Sequence, residues 1–208
     1  MKDPAYEAMS KAKRQAESGN AKGAVDTLEE YLSTDPHNIK ARLQLARTAV
    51  YDLKDKEYGL MQINIILDLE PDNTDALKAA VTVLMKDKKN NAVTNGHYEK
   101  LLELCPDAQL YNAYAVFLRM QKLDFKKSAE FYEKAIAAAP GNPDYHRNYA
   151  VLLLNDIKDY KKAKVELETV LKLEPDNQTV KKNLDLLMKK KFDTNGNLKR
   201  KRFPSLRQ

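Results

Sequence analysis

The sequence predicts an all-α solenoid in which about five helix hairpins follow one another and a capping helix closes the stack. The first observation is a period of 34 or 35 residues between five prolines: Pro36, Pro71, Pro106, Pro140 and Pro175. The second is a small residue twelve positions before each proline: Ala24, Gly59, Thr94, Ser128 and Ala163. The third is the composition, because six glycines, no tryptophan and 32% charged residues favour a helical protein over a β-rich one.

The period has a simple physical basis. A single helix hairpin cannot bury its apolar stripe, whereas stacked hairpins bury one continuous core in which each unit contacts its neighbours. Small residues at the helix crossing allow close approach. A proline has no N–H and ends the second helix, and the Asp or Asn that follows it can cap the next first helix.

The elements are placed in order by these signals. Asp3 and Pro4 predict the N-cap and first turn of a helix that ends near Glu17, and Ser18–Asn20 predicts the turn before a second helix over Ala21–Ser33. Four further hairpins are expected at Ile39–Leu69, Thr74–Leu104, Ala108–Ala139 and Asp144–Leu173. Three asparagines and a glycine in KDKKNNAVTNGHY predict a weaker or shifted second helix in the third hairpin. The capping helix is QTVKKNLDLLMKKK, whose Val180, Leu184 and Leu187 share one face.

With these features the chain resembles the tetratricopeptide repeat (TPR) family over about Ala5 to Lys191. The fourth hairpin carries the family's signature positions at Tyr111, Tyr114, Ala115, Leu118, Phe125, Ser128, Tyr132, Ala135 and Pro140. The fifth carries them at His146, Tyr149, Ala150, Leu153, Tyr160, Ala163, Leu167, Val170 and Pro175. Earlier hairpins depart from the pattern, for example at Lys11. The resemblance implies a right-handed superhelical solenoid that binds partners and has no catalytic site.

The resemblance also implies where a partner binds, because the first helices of TPR hairpins line a concave groove. The groove-facing candidates are Lys13, Lys40, Gln44, Arg47, Lys78, Asn112, Arg147 and Asn148. Basic and amide side chains suit an acidic or extended peptide, with asparagine amides holding its backbone. The alternative is that they are ordinary solvated helix residues. The lysine and asparagine pattern of family members that clamp chaperone C-termini does not fit three consecutive hairpins here, which argues against that role.

The C-terminal segment differs from the repeats, so we expect residues 1–191 to form the solenoid and residues 192–208 a basic, flexible tail. Between Lys189 and Gln208 the net charge is +7 and the whole chain carries +6, so residues 1–188 carry −1. The candidate contact residues are Lys199, Arg200, Lys201, Arg202 and Phe203. Three interpretations stay open: contact with RNA, a ribosome or an acidic protein, a nuclear address in a eukaryote, or a solubilising terminus.

Residues that could support catalysis or metal binding do not converge in the sequence. The histidines His37, His97 and His146 fall in three different repeats, and the single Cys105 permits neither an internal disulfide nor a cysteine metal set. We expect His37 in a solvated loop and His146 packed between helices. Seven aromatic residues of the last two hairpins are expected in the core rather than in a ligand-binding stripe: Tyr111, Tyr114, Phe117, Phe131, Tyr132, Tyr145 and Tyr149. No cofactor and no metal are expected. The single cysteine, the absence of an apolar signal core near the start and the absence of an apolar run of about 20 residues favour a cytoplasmic protein, or a nuclear one in a eukaryote.

The sequence therefore predicts a non-enzymatic adaptor or scaffold that binds a partner peptide or helix in the solenoid groove. The alternative is a nucleic-acid- or ribosome-associated protein whose basic tail binds while the solenoid docks a protein.

Overall fold

A computed structural model describes residues 3–121 and 123–199 of the chain, and its regular elements there are helical. The first helices of the five hairpins are α1 (Pro4–Glu17), α3 (Ile39–Tyr51), α5 (Thr74–Leu84), α7 (Ala108–Met120) and α9 (Pro143–Leu152). The second helices are α2 (Ala21–Thr34), α4 (Lys56–Leu69), α6 (Asn91–Leu104), α8 (Phe125–Ala138) and α10 (Tyr160–Leu173), and α11 (Gln178–Lys191) follows. A short 3-10 helix at Lys88–Asn90 precedes α6, and a π-helical turn at Leu153–Ile157 extends α9. The predicted all-α hairpin array is confirmed.

The chain divides into two compact units between Pro106 and Asp107. In the first unit each helix from α1 to α6 packs on the next one in sequence, and in the second unit the helices from α7 to α11 do the same. First helices also contact first helices, as α1 does α3 and α7 does α9. The division into a solenoid over residues 1–191 and a tail over residues 192–208 stays a prediction.

Side-chain caps set where most helices begin. Each first helix, and α11 after them, starts beside an Asp or Asn whose side chain accepts a backbone N–H: Asp3, Asn38, Asn73, Asp107, Asn142 and Asn177. Asn38 follows Pro36 by two residues, and the same spacing separates Asn73 from Pro71. The proline and the cap that follows it therefore end one helix and begin the next, as predicted.

The second helix of the third hairpin corrects a prediction. We expected it to be weak or shifted, but α6 has 14 residues and begins 15 residues before its proline, as α2 and α4 do. The difference is confined to its N-terminus, where Asn90 makes no capping bond. The Asn90 amide instead donates to Asp87 Oδ2 at 2.8 Å, while Asp87 Oδ1 accepts from Lys89 N at 2.9 Å. These hydrogen bonds lower the pKa of the Asp87 carboxyl, with the Asn90 amide as the larger cause.

The core follows the repeat signature. The small residues Ala24, Thr94, Ser128 and Ala163 are fully buried, and Gly59 is buried as well. The regular spacing of these small residues along the chain therefore marks the positions where helices cross. The aromatic residues of the second unit lie in the core as expected: Tyr114, Phe117, Phe131, Tyr132, Tyr145 and Tyr149 are buried, and Tyr111 is half-buried.

Candidate partner-binding grooves

A surface groove runs across the first helices of the first unit. Between α1 and α3 it opens into a cavity of about 550 Å³, and between α3 and α5 into an adjoining cavity of about 180 Å³. We call these two cavities together the N-terminal groove. Five of the sequence-predicted groove residues line it: Lys13, Lys40, Gln44, Arg47 and Lys78.

The spacing of residues on α3 explains why these side chains share one face. Lys40, Gln44 and Arg47 lie at successive turns of the helix, and one turn further on stands Tyr51, which also lines both cavities. Tyr51 is 50% exposed, so an aromatic ring is offered to a partner beside the basic groups. Tyr51 was not among the sequence-predicted groove residues, although its i, i+4 spacing from Arg47 places it on the same face.

The N-terminal groove holds charges of both signs over a partly apolar floor. Glu17 and Asp52 line the larger cavity beside its basic residues, and Lys13 Nζ lies 3.9 Å from Glu17 Oε1. Ala16 and Leu43 supply the apolar contact. The Gln44 amide donates to Met9 O at 2.9 Å and so ties α3 to α1. The Gln44 amide is therefore already engaged in one hydrogen bond within the fold.

The groove candidates of the second unit, Asn112, Arg147 and Asn148, make side-chain hydrogen bonds within that unit. Asn148 Nδ2 donates to Asn112 Oδ1 at 3.1 Å, which joins α9 to α7. Arg147 bonds Asp144 and also donates to Glu174 Oε2 at 2.8 Å. Arg147 lines a cavity of about 410 Å³ between α9 and α11. These three residues therefore stabilise the packing of the second unit, and Arg147 also lines a cavity.

A further cavity in the second unit was not anticipated from the sequence. It has a volume of about 470 Å³ and lies between the end of α9 with its π-turn and the C-terminal half of α11. We call it the C-terminal groove. Its apolar residues are Val151, Leu154, Leu186 and Leu187, and its basic residues are Lys158, Lys190 and Lys191. Lys158 follows the π-helical turn, and Lys190 and Lys191 lie in α11, which was expected only to cover the end of the helix stack. The periodicity of α9 therefore could not predict these basic residues.

The start of the C-terminal tail folds back on α11. Phe192 is buried and pairs with Leu198 in an isolated β-bridge, and Lys199 N donates to Lys191 O at 2.8 Å. The Lys199 ammonium donates to Lys189 O at 2.6 Å, at the carbonyl end of the helix, where a positive charge is favoured. Of the tail candidates, Lys199 is exposed, and Arg200, Lys201, Arg202 and Phe203 lie outside the described residues.

The three histidines lie in three different environments. His37 is exposed and His146 is buried, as expected, while burial lowers the pKa of His97. Burial also raises the pKa of the Tyr132 hydroxyl to about 12, as expected for a core tyrosine. No group of three or more potential metal ligands occurs in the part of the chain that the structure describes. Within that part, every helix is too short or too polar to cross a membrane.

Comparison with known proteins places the fold. No protein-family model matches the chain, and no curated protein sequence matches it. A solved structure of MamA from Desulfovibrio magneticus RS-1 is 21% identical, with a TM-score of 0.74 over 86% of this chain and 99% of that one. A second MamA structure is 19% identical, with a TM-score of 0.67 over 84% of this chain and 97% of that one.

A third solved structure names the repeat type. YrrB, described as a TPR protein with an unusual peptide-binding site, is 13% identical, with a TM-score of 0.63 over 78% of this chain and 82% of that one. At such low identities the likeness concerns the fold. The proline period, the buried small residues, the paired helices and these neighbours together identify the fold of this chain as the tetratricopeptide repeat fold.

Proposed function

We propose that this protein is a non-enzymatic adaptor that binds a peptide or helix of a partner protein in the N-terminal groove. The observation that carries the proposal is the convergence of Lys13, Lys40, Gln44 and Arg47 on one cavity, with Lys78 in the adjoining one. A groove formed by packed helices is ordered before the partner arrives. Binding therefore costs little conformational entropy on the protein side.

The chemistry of the groove defines the partner that suits it. Four basic residues and three acidic ones (Glu17, Asp52 and Asp75) line the groove, and this excess of one positive charge favours a peptide with carboxylates. The Gln44 amide and the half-exposed Tyr51 ring can contact the peptide's backbone and apolar side chains. The peptide-binding site named for YrrB supports the same kind of use for a related fold. No cofactor is needed for this role, and the cytoplasm is the compartment that we propose.

Charge reversal in the groove tests the proposal. Arg47→Glu combined with Lys78→Glu should weaken capture of the partner by roughly tenfold or more, because two attractive contacts become repulsive. Both side chains are exposed. The free energy of unfolding should therefore change by no more than about 0.5 kcal/mol, as for most surface substitutions.

A matched control separates the groove from total charge. Lys22→Glu with Lys86→Glu changes the net charge by the same amount at exposed positions that do not line the groove. This control should retain the partner. Full capture by the Arg47 and Lys78 variant, or equal loss in both variants, would contradict the proposal.

A second candidate function has a specific observation in its favour. Lys199 is held against the last turn of α11, which groups the first tail cation with Lys189, Lys190 and Lys191. Such a cluster suits phosphate groups, and the tail would then bind RNA or a ribosome while the grooves dock a protein. Removal of residues 193–208 should in that case abolish RNA binding and leave the helix content unchanged by circular dichroism. RNA retention after the truncation would exclude the tail as the binding element.

A further inference from the structure

The two units of the chain repeat each other with an offset of 104 residues. Pro36 and Pro140 are separated by this distance, as are α2 and α8, α4 and α10, and the starts of α5 and α11. Lys54 and Lys158, also 104 residues apart, both adopt a left-handed backbone conformation with φ near 65°. The helices α1 to α5 of the first unit therefore have structural equivalents in α7 to α11 of the second.

Through this equivalence, the position of the smaller cavity of the N-terminal groove is shared in the second unit between the C-terminal groove and the 410 Å³ cavity that Arg147 lines. Residues that line the smaller cavity have partners 104 positions later that line the C-terminal groove: Arg47 and Val151, Val50 and Leu154, Tyr51 and Asn155, Ala79 and Asn183, Thr82 and Leu186, Val83 and Leu187. The two cavities therefore share six lining positions, but the side chains at these positions differ.

Two of the differences place apolar side chains on the floor of the C-terminal groove, while Asn155 and Asn183 stand where the first unit has Tyr51 and Ala79. A hydrophobic side chain stands where the first unit has Arg47, and another where it has Thr82. Leu186 is 49% exposed. Each Å² of apolar surface left in water costs about 25 cal/mol, so covering this side chain would be favourable. Leu154 is half-buried beside it.

The rim of the C-terminal groove is basic. Lys158, Lys190 and Lys191 line it, and none of the described residues that line it is acidic. In the larger cavity of the first unit, by contrast, Glu17 and Asp52 accompany the basic side chains. The ammonium of Lys191 lies 4.5 Å from the centroid of the Tyr160 ring, an arrangement that holds this cation at the edge of the groove.

A local distortion shapes this wall of the groove. The π-helical turn Leu153–Ile157 supplies Leu154 and Asn155 to the cavity, and Lys158 follows in the left-handed conformation. Single π-turns within helices occur often at functional sites, because they redirect side chains that a regular helix would place elsewhere. The turn is held by the ion pair between Asp156 Oδ2 and Arg119 Nε at 2.6 Å.

We infer that the C-terminal groove is a second docking site, which binds an acidic amphipathic segment of a partner protein. Leucine-like side chains of the segment would pack on Leu154 and Leu186, and its carboxylates would pair with Lys158 and Lys190. Charge complementarity selects this occupant over the chain's own basic tail, whose cations would meet lysines. The site is separate from the N-terminal groove, and each can be removed without the other.

Fluorescence anisotropy with a defined probe tests this inference on the full chain. The probe is a labelled peptide of about twelve residues in which pairs of leucine alternate with pairs of glutamate, a pattern that can form an amphipathic helix. Binding should be saturable and should weaken as salt is raised. Replacement of the glutamates by glutamine, or of the leucines by serine, should each reduce affinity by about tenfold or more.

Variants locate the binding on the protein. Lys158→Glu with Lys190→Glu, and separately Leu186→Ser, should each weaken peptide binding by about tenfold. Lys181→Glu with Lys182→Glu makes the same charge change on exposed residues of α11 outside the cavity and should leave binding unchanged. The Arg47→Glu and Lys78→Glu variant should retain the component of peptide binding that the Lys158 and Lys190 variant loses, so the component that each variant removes distinguishes this site from the N-terminal groove.

Three outcomes would overturn the inference. The first is equal loss of binding in the groove variant and in the Lys181 and Lys182 control, which would indicate attraction to total charge. The second is tighter binding of an unlabelled uridine oligonucleotide than of the peptide at the same groove, measured by competition. The third is displacement of the probe by a synthetic peptide of residues 200–208 at lower concentration than by the acidic peptide itself, which would make the tail the occupant.

Discussion

Arg42 and His146 occupy the same position in two hairpins, six residues after Pro36 and Pro140 respectively. The Arg42 guanidinium donates to Pro36 O and to Gln62 Oε1. The His146 ring places Nε2 3.0 Å from Pro140 O and Nδ1 2.6 Å from Glu166 Oε2. In both hairpins one side chain thus joins the preceding turn to the second helix of its own hairpin.

Substitution of His146 tests this equivalence. His146→Ala should lower the free energy of unfolding by about 1–3 kcal/mol, because it removes two buried contacts and leaves Glu166 without its donor. His146→Arg should lose less, since arginine can bridge the same two acceptors. Urea denaturation of both variants, with exposed His37→Ala as the control, measures the difference. Equal losses for alanine and arginine would show that His146 contributes through packing alone.

The helix crossings of the hairpins are set by small side chains, and α4 shows how tightly. A Cβ atom at Gly59 would overlap Val50 Cγ2 and stand 3.0 Å from Ala46 O on the facing helix α3. In α6 a Cβ atom at Gly96 would meet no atom within 4 Å. Glycine therefore serves close packing at one position and has no such role at the other.

A pair of glycine substitutions follows from this contrast. Gly96→Ala should stabilise the protein by roughly 0.5–1 kcal/mol, because alanine has the higher helix propensity and fits the open surface. Gly59→Ala gains the same propensity and should still destabilise by about 1–3 kcal/mol, because α3 and α4 must move apart. Thermal unfolding of the two variants tests the prediction. Stabilisation by Gly59→Ala would mean that the crossing tolerates a methyl group.

At the scale of the whole chain, much of the hairpin array could be predicted from local signals. The second helix of the first hairpin was expected at Ala21–Ser33 and spans Ala21–Thr34. The capping helix has the bounds expected for it. Prolines, caps and small residues act within one or two turns of the chain, so they can be recognised without knowledge of the packing. The second helix of the third hairpin, α6, was the exception. Its asparagines suggested a weaker or shifted helix, but the burial of Tyr98 and Leu101 stabilises a helix of full length.

The candidate grooves could be predicted only in part. Lys13, Lys40, Gln44 and Arg47 were found because the resemblance to the TPR family implies that the first helices line a groove. The pairings of Arg147 with Glu174 and of Asn148 with Asn112 were not found, because they join residues 27 and 36 positions apart that only packing brings together. The C-terminal groove was missed for the same reason, since its lysines come from a turn and from the end of the last helix.

Partner capture by three forms of the protein tests the central claim that the N-terminal groove is the binding site. The full chain, the chain truncated after Lys191 and the Arg47→Glu and Lys78→Glu variant are used as baits with nuclease-treated extract, and bound proteins are identified by mass spectrometry. We expect a partner that is recovered by the full and truncated chains and lost from the groove variant. A partner that is lost on truncation and kept by the groove variant would contradict it.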